Sequence, residues 1–189
     1  MKHTTTAALM LSLGVANIYA QQRPVRMTFS GSKVATAINL GPNTRTDEVH
    51  LAGNGTLGPF TFRGLRTDET SYTFGSCGSG FGPNFRVVAG AGVFRIQDGS
   101  LLTAKFTKGA LCVDVSDMNH LVGHLTETYE ITGGTGRLDG AKGSLALTAT
   151  LAALLSDASN SAVLLTLTGS LEGTVSGLAS GEGERGERQ

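Results

Sequence analysis

The chain has no tryptophan, four prolines, two cysteines and an aromatic content of 6% over 189 residues. It also has no excess charge of either sign, with 15 basic and 15 acidic residues. A neutral chain with few aromatics has no clustered basic face for nucleic acid. It likewise lacks the basic amphipathic helix that lies along a membrane surface. No apolar run after the N-terminal segment approaches the ~20 residues a spanning helix needs, so stable membrane insertion is not expected. Two cysteines do not build a structural zinc site without histidine partners, and no histidine sits at a finger-like spacing from them. No G-x-S-x-G frame surrounds Ser76 or Ser79, so no nucleophile elbow is visible.

The chain opens instead with a short basic start, Met1-Lys2-His3, and an apolar stretch from Ala7 to Ala16. Ile18-Tyr19-Ala20 then precedes Gln21. This is the order of a secretory signal, with cleavage expected after residue 20 and no cysteine at the cut to carry a lipid. A buried first helix or an uncleaved anchor is the competing reading. Export predicts a secreted or periplasmic protein. In an oxidising compartment Cys77 and Cys112 are expected to form a disulfide rather than two separate buried thiols. Residues 21–178 are long enough for one ordinary domain. Residues 179–189, almost wholly Gly, Glu and Arg, offer nothing apolar to bury and are expected to form a disordered tail.

Glycine is plentiful, at 27 residues, without a collagen period. That indicates many turns between short strands. Alternation with period two recurs along the chain: Val25, Met27 and Phe29; Val49 and Leu51; Phe60 and Phe62; Phe94 and Ile96; Leu102, Ala104 and Phe106. It continues through Leu121, Leu125, Tyr129 and Ile131, then Leu145, Leu147 and Leu151, then Val163, Leu165, Leu167 and Leu171. Such alternation means half-buried strands with one face on a core. Asn54-Gly55, Asp98-Gly99, Gly133-Gly134-Thr135-Gly136 and Asp139-Gly140 punctuate the strands, and Gly75 to Gly82 reads as a long Gly/Ser loop. Ala and Leu between Leu145 and Leu155 would also suit a helix, but threonines and strict alternation favour a strand. Eight to ten strands and no convincing helix follow. An antiparallel closed barrel of about eight strands leaves no exposed edges; a β-sandwich is the alternative.

Gly53-Asn54-Gly55-Thr56-Leu57-Gly58 fits a dinucleotide fingerprint, but a strand rather than a helix follows it, so it reads as a turn. Asp117, His120, His124 and Glu127 would line one face of a helix. On a strand His120 and His124 stand ~13 Å apart and cannot share a metal. No metal or other cofactor is expected. Glu127 has the parity of Leu125, Tyr129 and Ile131 and is expected to point inward. An inward carboxylate is costly unless paired or protonated, and such a group can serve as an acid or base. Arg86, Arg95 or a tyrosine would equally serve as a structural partner. A bulge that turned Glu127 to water would remove it from the interior.

Residues Ile131 to Gly143 contain Gly133-Gly134-Thr135-Gly136, a basic Arg137, Ala141 and Gly143. This stretch resembles the signature of dirigent proteins and of bacterial secreted relatives of the allene oxide cyclase barrel, with Leu138 in place of the usual Phe. The resemblance covers about a dozen residues. It implies an eight-stranded antiparallel barrel in which the motif is structural, and an interior that binds an apolar molecule. Catalytic residues of the plant enzymes find no matching positions here. The expected ligand contacts are the inward Leu125, Tyr129, Phe94 and Phe106. The leading expectation is therefore a barrel that holds a small hydrophobic molecule. A cyclase or isomerase using Glu127 as acid/base is the first alternative. A self-associating structural protein is the second, because Leu154 and Leu164 lie off the inward parity.

Overall fold

A computed structural model describes residues 22–178, apart from residues 39, 79, 119 and 157–161. The expected signal segment and polar tail lie outside the described residues. Eight antiparallel strands form one closed barrel in simple up-and-down order. They are β1 (Arg23–Ala35), β2 (Thr44–Gly55), β3 (Phe60–Cys77), β4 (Gly80–Ile96), β5 (Leu101–Asp114), β6 (Val122–Gly134), β7 (Lys142–Ser156) and β8 (Ala162–Ser176). Closure comes from β1 pairing with β8, in a register that runs from Arg23 opposite Val175 to Val34 opposite Leu164. Among the described residues the sheet therefore has no free edge to template aggregation. Among the described residues no helix is long and apolar enough to cross a membrane. The only helical element among the described residues is a 3-10 turn, Gly136–Leu138.

Alternation drives this closure. Val25, Met27 and Phe29 of β1, Leu145, Leu147, Ala149 and Leu151 of β7, and Leu167 and Leu171 of β8 are all buried, while their neighbours face out or lie at the margin. The lower barrel is filled by rings. Phe60 and Phe62 lie 5.7 and 4.6 Å from Phe94, and Tyr129 lies 6.2 Å from both Phe62 and Phe106. Each such ring removes well over 100 Å² from water, which at ~25 cal/mol/Å² makes this stack the main apolar anchor of the fold.

Three tight turns close the bottom. Leu57, Leu138 and Ala141 are buried there. The Arg137 guanidinium hydrogen-bonds both the Asp98 carboxylate and the Leu57 carbonyl, which stitches all three turns together. The Ser100 backbone N–H and then Arg137 hold Asp98 below the usual carboxylate range. Gly136 (φ 62°) needs the left-handed region, and a Cβ there would sit 2.7 Å from Ser100 Oγ. At Gly143 (φ 154°) a Cβ would run into the Thr174 carbonyl of β8. The Gly-rich motif is thus the barrel's floor plate, with Leu138 buried in it.

The opposite end is built differently. β3 and β4 are the longest strands, at 18 and 17 residues. Gly75 to Gly82, expected as a loop, is mostly strand: Gly75 pairs with Gly82 and Ser76 with Phe81. Glycines suit this hairpin because its tip folds against the neighbouring strands; a Cβ on Gly82 would strike the Val113 carbonyl. Cys77 and Cys112 are disulfide-bonded with Cα atoms 5.5 Å apart, and the bridge ties the hairpin tip to β5. Val115 N–H also donates to the Phe81 carbonyl at 3.2 Å.

Candidate functional site

The same parity that turns apolar residues inward turns six charged side chains toward one cluster in the upper barrel. Lys33 follows Met27 and Phe29 on β1. Asp47 precedes Val49 and Leu51 on β2. Arg66 and Asp68 follow Phe60 and Phe62 on β3, and Glu127 lies between Leu125 and Tyr129 on β6. All five are buried. Arg45 reaches Asp47 from the rim, its Nε 3.0 Å from Oδ1. Three cations therefore face three carboxylates, and the set is formally neutral.

The contacts are specific. Arg66 donates from Nε and Nη2 to the two oxygens of Asp68, both at 2.9 Å. Its Nε lies 3.0 Å from Glu127 Oε1, but that oxygen has no hydrogen bond, so this contact is coulombic. Tyr129 donates its hydroxyl proton to Glu127 Oε2 at 2.6 Å. Lys33 Nζ stands 2.7 Å from Asp47 Oδ2 and 3.0 Å from Asp68 Oδ2, bridging the two carboxylates. Burial alone would lower the Arg66 pKa, yet Glu127 and Asp68 outweigh it and hold the guanidinium above its usual range. Burial and then the Glu127 charge raise the Tyr129 phenol well above its usual range. Buried charges are tolerated only with such pairing.

Above this cluster the barrel is open. A cavity of about 320 Å³ is lined by Lys33, Arg45, Asp68, Glu69 and Thr70 on one side. Phe85, Leu111, Val113 and Leu165 form its apolar wall. Two features create the space. Between Asp68 and Tyr72 the β3–β4 register jumps, leaving residues 69–71 opposite Arg86 alone. A bulge of this kind bends the strand and re-aims its side chains. β5 has a second irregularity between Phe106 and Lys108, after which Leu111 and Val113 lie toward the mouth.

The expected site residues separate into two groups. Glu127 does point into the barrel. Its partners are Arg66 and Tyr129; Arg86 instead pairs with Glu69 near the surface, and Arg95 faces out. Glu127 does not line the cavity. Neither do Leu125, Tyr129, Phe94 and Phe106, which are packed into the solid core. Leu125 pairs across β5–β6 with the wall residue Leu111 but does not line the cavity itself. Their inward parity made these four positions the expected ligand contacts, but the surrounding core packs them solid, and the cavity lies instead above the charge cluster.

Asp117 and His120 lie in the β5–β6 loop and pair with each other at 2.8 Å, while His124 is on β6. They do not converge with Glu127. Among the described residues no group of three His, Cys, Asp or Glu is placed to hold a metal ion. A disulfide-bonded barrel of this size fits an extracellular or periplasmic location. Comparison with protein-family models, with curated proteins and with solved structures found no match to this chain.

Proposed function

We propose that this is an exported binding barrel that holds a small hydrophobic molecule in the cavity at its open end. The cavity carries the reading: its volume reaches the ~300 Å³ lower bound typical of small-molecule sites. An apolar wall of Phe85, Leu111, Val113 and Leu165 stands above a polar, charge-neutral floor. A neutral floor neither attracts nor repels a net charge, and the wall rewards apolar surface, so the ligand is mostly apolar. The signal-like N-terminus and the resemblance of the Gly133–Gly143 motif to secreted barrels support the same reading. Glu127 lies outside the cavity wall, so no contact favours an acid/base role over a structural one. Native mass spectrometry of the protein purified from an exporting host tests the proposal. A co-purifying lipophilic mass, one per chain, is the expected result. Failure to retain any member of a lipophilic extract offered to the protein would overturn it.

A further inference from the structure

Exposed apolar side chains are not spread evenly over this barrel. Of the thirteen large exposed hydrophobics among the described residues, ten stand around the open end. The contributors come from all around that rim. Ile38 and Leu40 belong to the β1–β2 loop and are 50% and 62% exposed. Phe74 and Phe81 lie on the β3–β4 hairpin at 60% and 56%. Met118 belongs to the β5–β6 loop, and Leu154 and Leu155 end β7; these are 73%, 61% and 58% exposed. The closed end is the reverse. Its turns bury Leu57, Ile96 and Leu138, and none of their described residues is an exposed large hydrophobic. A surface shaped only by solubility would not sort its apolar side chains to one end, and exposed apolar clusters of this kind mark interaction sites.

The ring is continuous with the cavity. Phe85 lines the cavity and lies 5.5 Å from Tyr72; Tyr72 lies 5.5 Å from Phe74; Phe74 stacks on Phe81 at 5.9 Å. An aromatic path thus runs from the interior to the outermost hairpin. The charges near the rim are spent on one another: Arg86 on Glu69, Arg45 on Asp47, and Asp117 on His120. Among the described residues no unpaired cation cluster is left to seek an anionic surface, so the end matches a partner that carries no net charge.

We propose that the open end docks on the surface of a zwitterionic lipid bilayer, with the exposed apolar side chains of the rim dipping into the interface and the cavity mouth facing the lipid. Apolar side chains such as Phe and Leu bury into this zone, and Tyr is enriched there. A bilayer accepts separate tips one by one. A folded partner, or a second copy, would need one complementary face and would seal the opening. Docking goes beyond ligand binding, and it is read without any ligand, so the two proposals fail separately.

Flotation with phosphatidylcholine vesicles tests it. The protein should float with the vesicles, and raising salt from 0.1 to 1 M should not release it, since the attraction is apolar. Phe74→Ser/Phe81→Ser, or Leu154→Ser/Leu155→Ser, should lower the partition coefficient at least tenfold. Val88→Ser/Val93→Ser on the barrel wall should leave it unchanged. Because the chain has no tryptophan, Phe81→Trp gives a reporter that does not depend on the serine variants folding. Its emission should shift to the blue on vesicles and be quenched by brominated lipid, whereas Val93→Trp should respond to neither. Failure of the wild type to float, or an unresponsive Phe81→Trp, overturns the proposal. So does a concentration-dependent dimer that the mouth substitutions abolish without any vesicle binding, which would assign the ring to a second copy.

Discussion

Replacing Glu127 by Gln perturbs the buried charge cluster with little change of shape. Tyr129 keeps an acceptor at the same position, because the amide oxygen takes the place of Oε2. Arg66 loses its coulombic partner at 3.0 Å but keeps both hydrogen bonds to Asp68. Removing one member of a buried pair costs ~3–5 kcal/mol, and the retained Asp68 fork places this variant near ~3 kcal/mol. In a domain of this size each kcal/mol moves Tm by roughly 2–4 °C, so a fall of roughly 6–12 °C follows. Arg66→Met is more damaging, at ~4–5 kcal/mol, because it strands Glu127 with the Tyr129 hydroxyl alone. The double variant removes the stranded charge as well. It should be no less stable than Arg66→Met, with a coupling energy of at least ~2 kcal/mol. Urea unfolding followed by far-UV circular dichroism measures all three. Additivity within ~0.5 kcal/mol would show that the two residues do not share a network and would refute this account of Glu127.

Cys77→Ser/Cys112→Ser should lower stability by ~3–4 kcal/mol through the loop of about 35 residues it frees, and native free-thiol labelling of the unmutated protein should find neither sulfur reactive. Gly143→Ala should cost ~2 kcal/mol or more in a chemical melt, because it combines positive φ with a clash against β8. The Tyr19→Phe/Tyr72→Phe variant leaves Tyr129 as the single tyrosine. Its folded pKa is raised, so its contribution to stability is complete below ~pH 10, the unfolded value, and is lost as pH climbs toward the folded one. Absorbance at alkaline pH should show its phenolate appearing together with unfolding, and a phenolate in a still-folded protein at ~pH 10 would contradict its burial.

Much of the barrel was legible because period-two alternation is a direct consequence of strand geometry. β6 reads correctly from Leu125 to Ile131, and the ambiguous stretch from Leu145 is strand. Leu121 was expected on the inward parity, yet it precedes β6 and is exposed. Gly75 to Gly82 was misjudged because glycine signals turns, whereas here small residues permit a hairpin tip to lie against β5. The inward Glu127 was legible, and the same parity carries Lys33, Asp47, Arg66 and Asp68 inward too. Glu127 stands out because both same-face neighbours, Leu125 and Tyr129, are large and inward, whereas Lys33, Asp47, Arg66 and Asp68 each have a same-face neighbour that is not apolar and large (Gly31, Arg45, Gly64 and Thr70), so the rest of the cluster went unseen. The cavity was not legible at all. It depends on two register shifts, and a bulge leaves no mark in a hydrophobic pattern beyond its fading.

Titration with N-phenyl-1-naphthylamine, an uncharged apolar fluorophore, puts the cavity itself to the question. Wild-type protein should bind one molecule per chain with saturable enhancement. Val113→Phe/Leu165→Phe, which fills the space between β5 and β8 from within, should bind at least tenfold more weakly while melting at a similar temperature. Equal binding by both proteins, or none by the wild type, would contradict a ligand-holding interior.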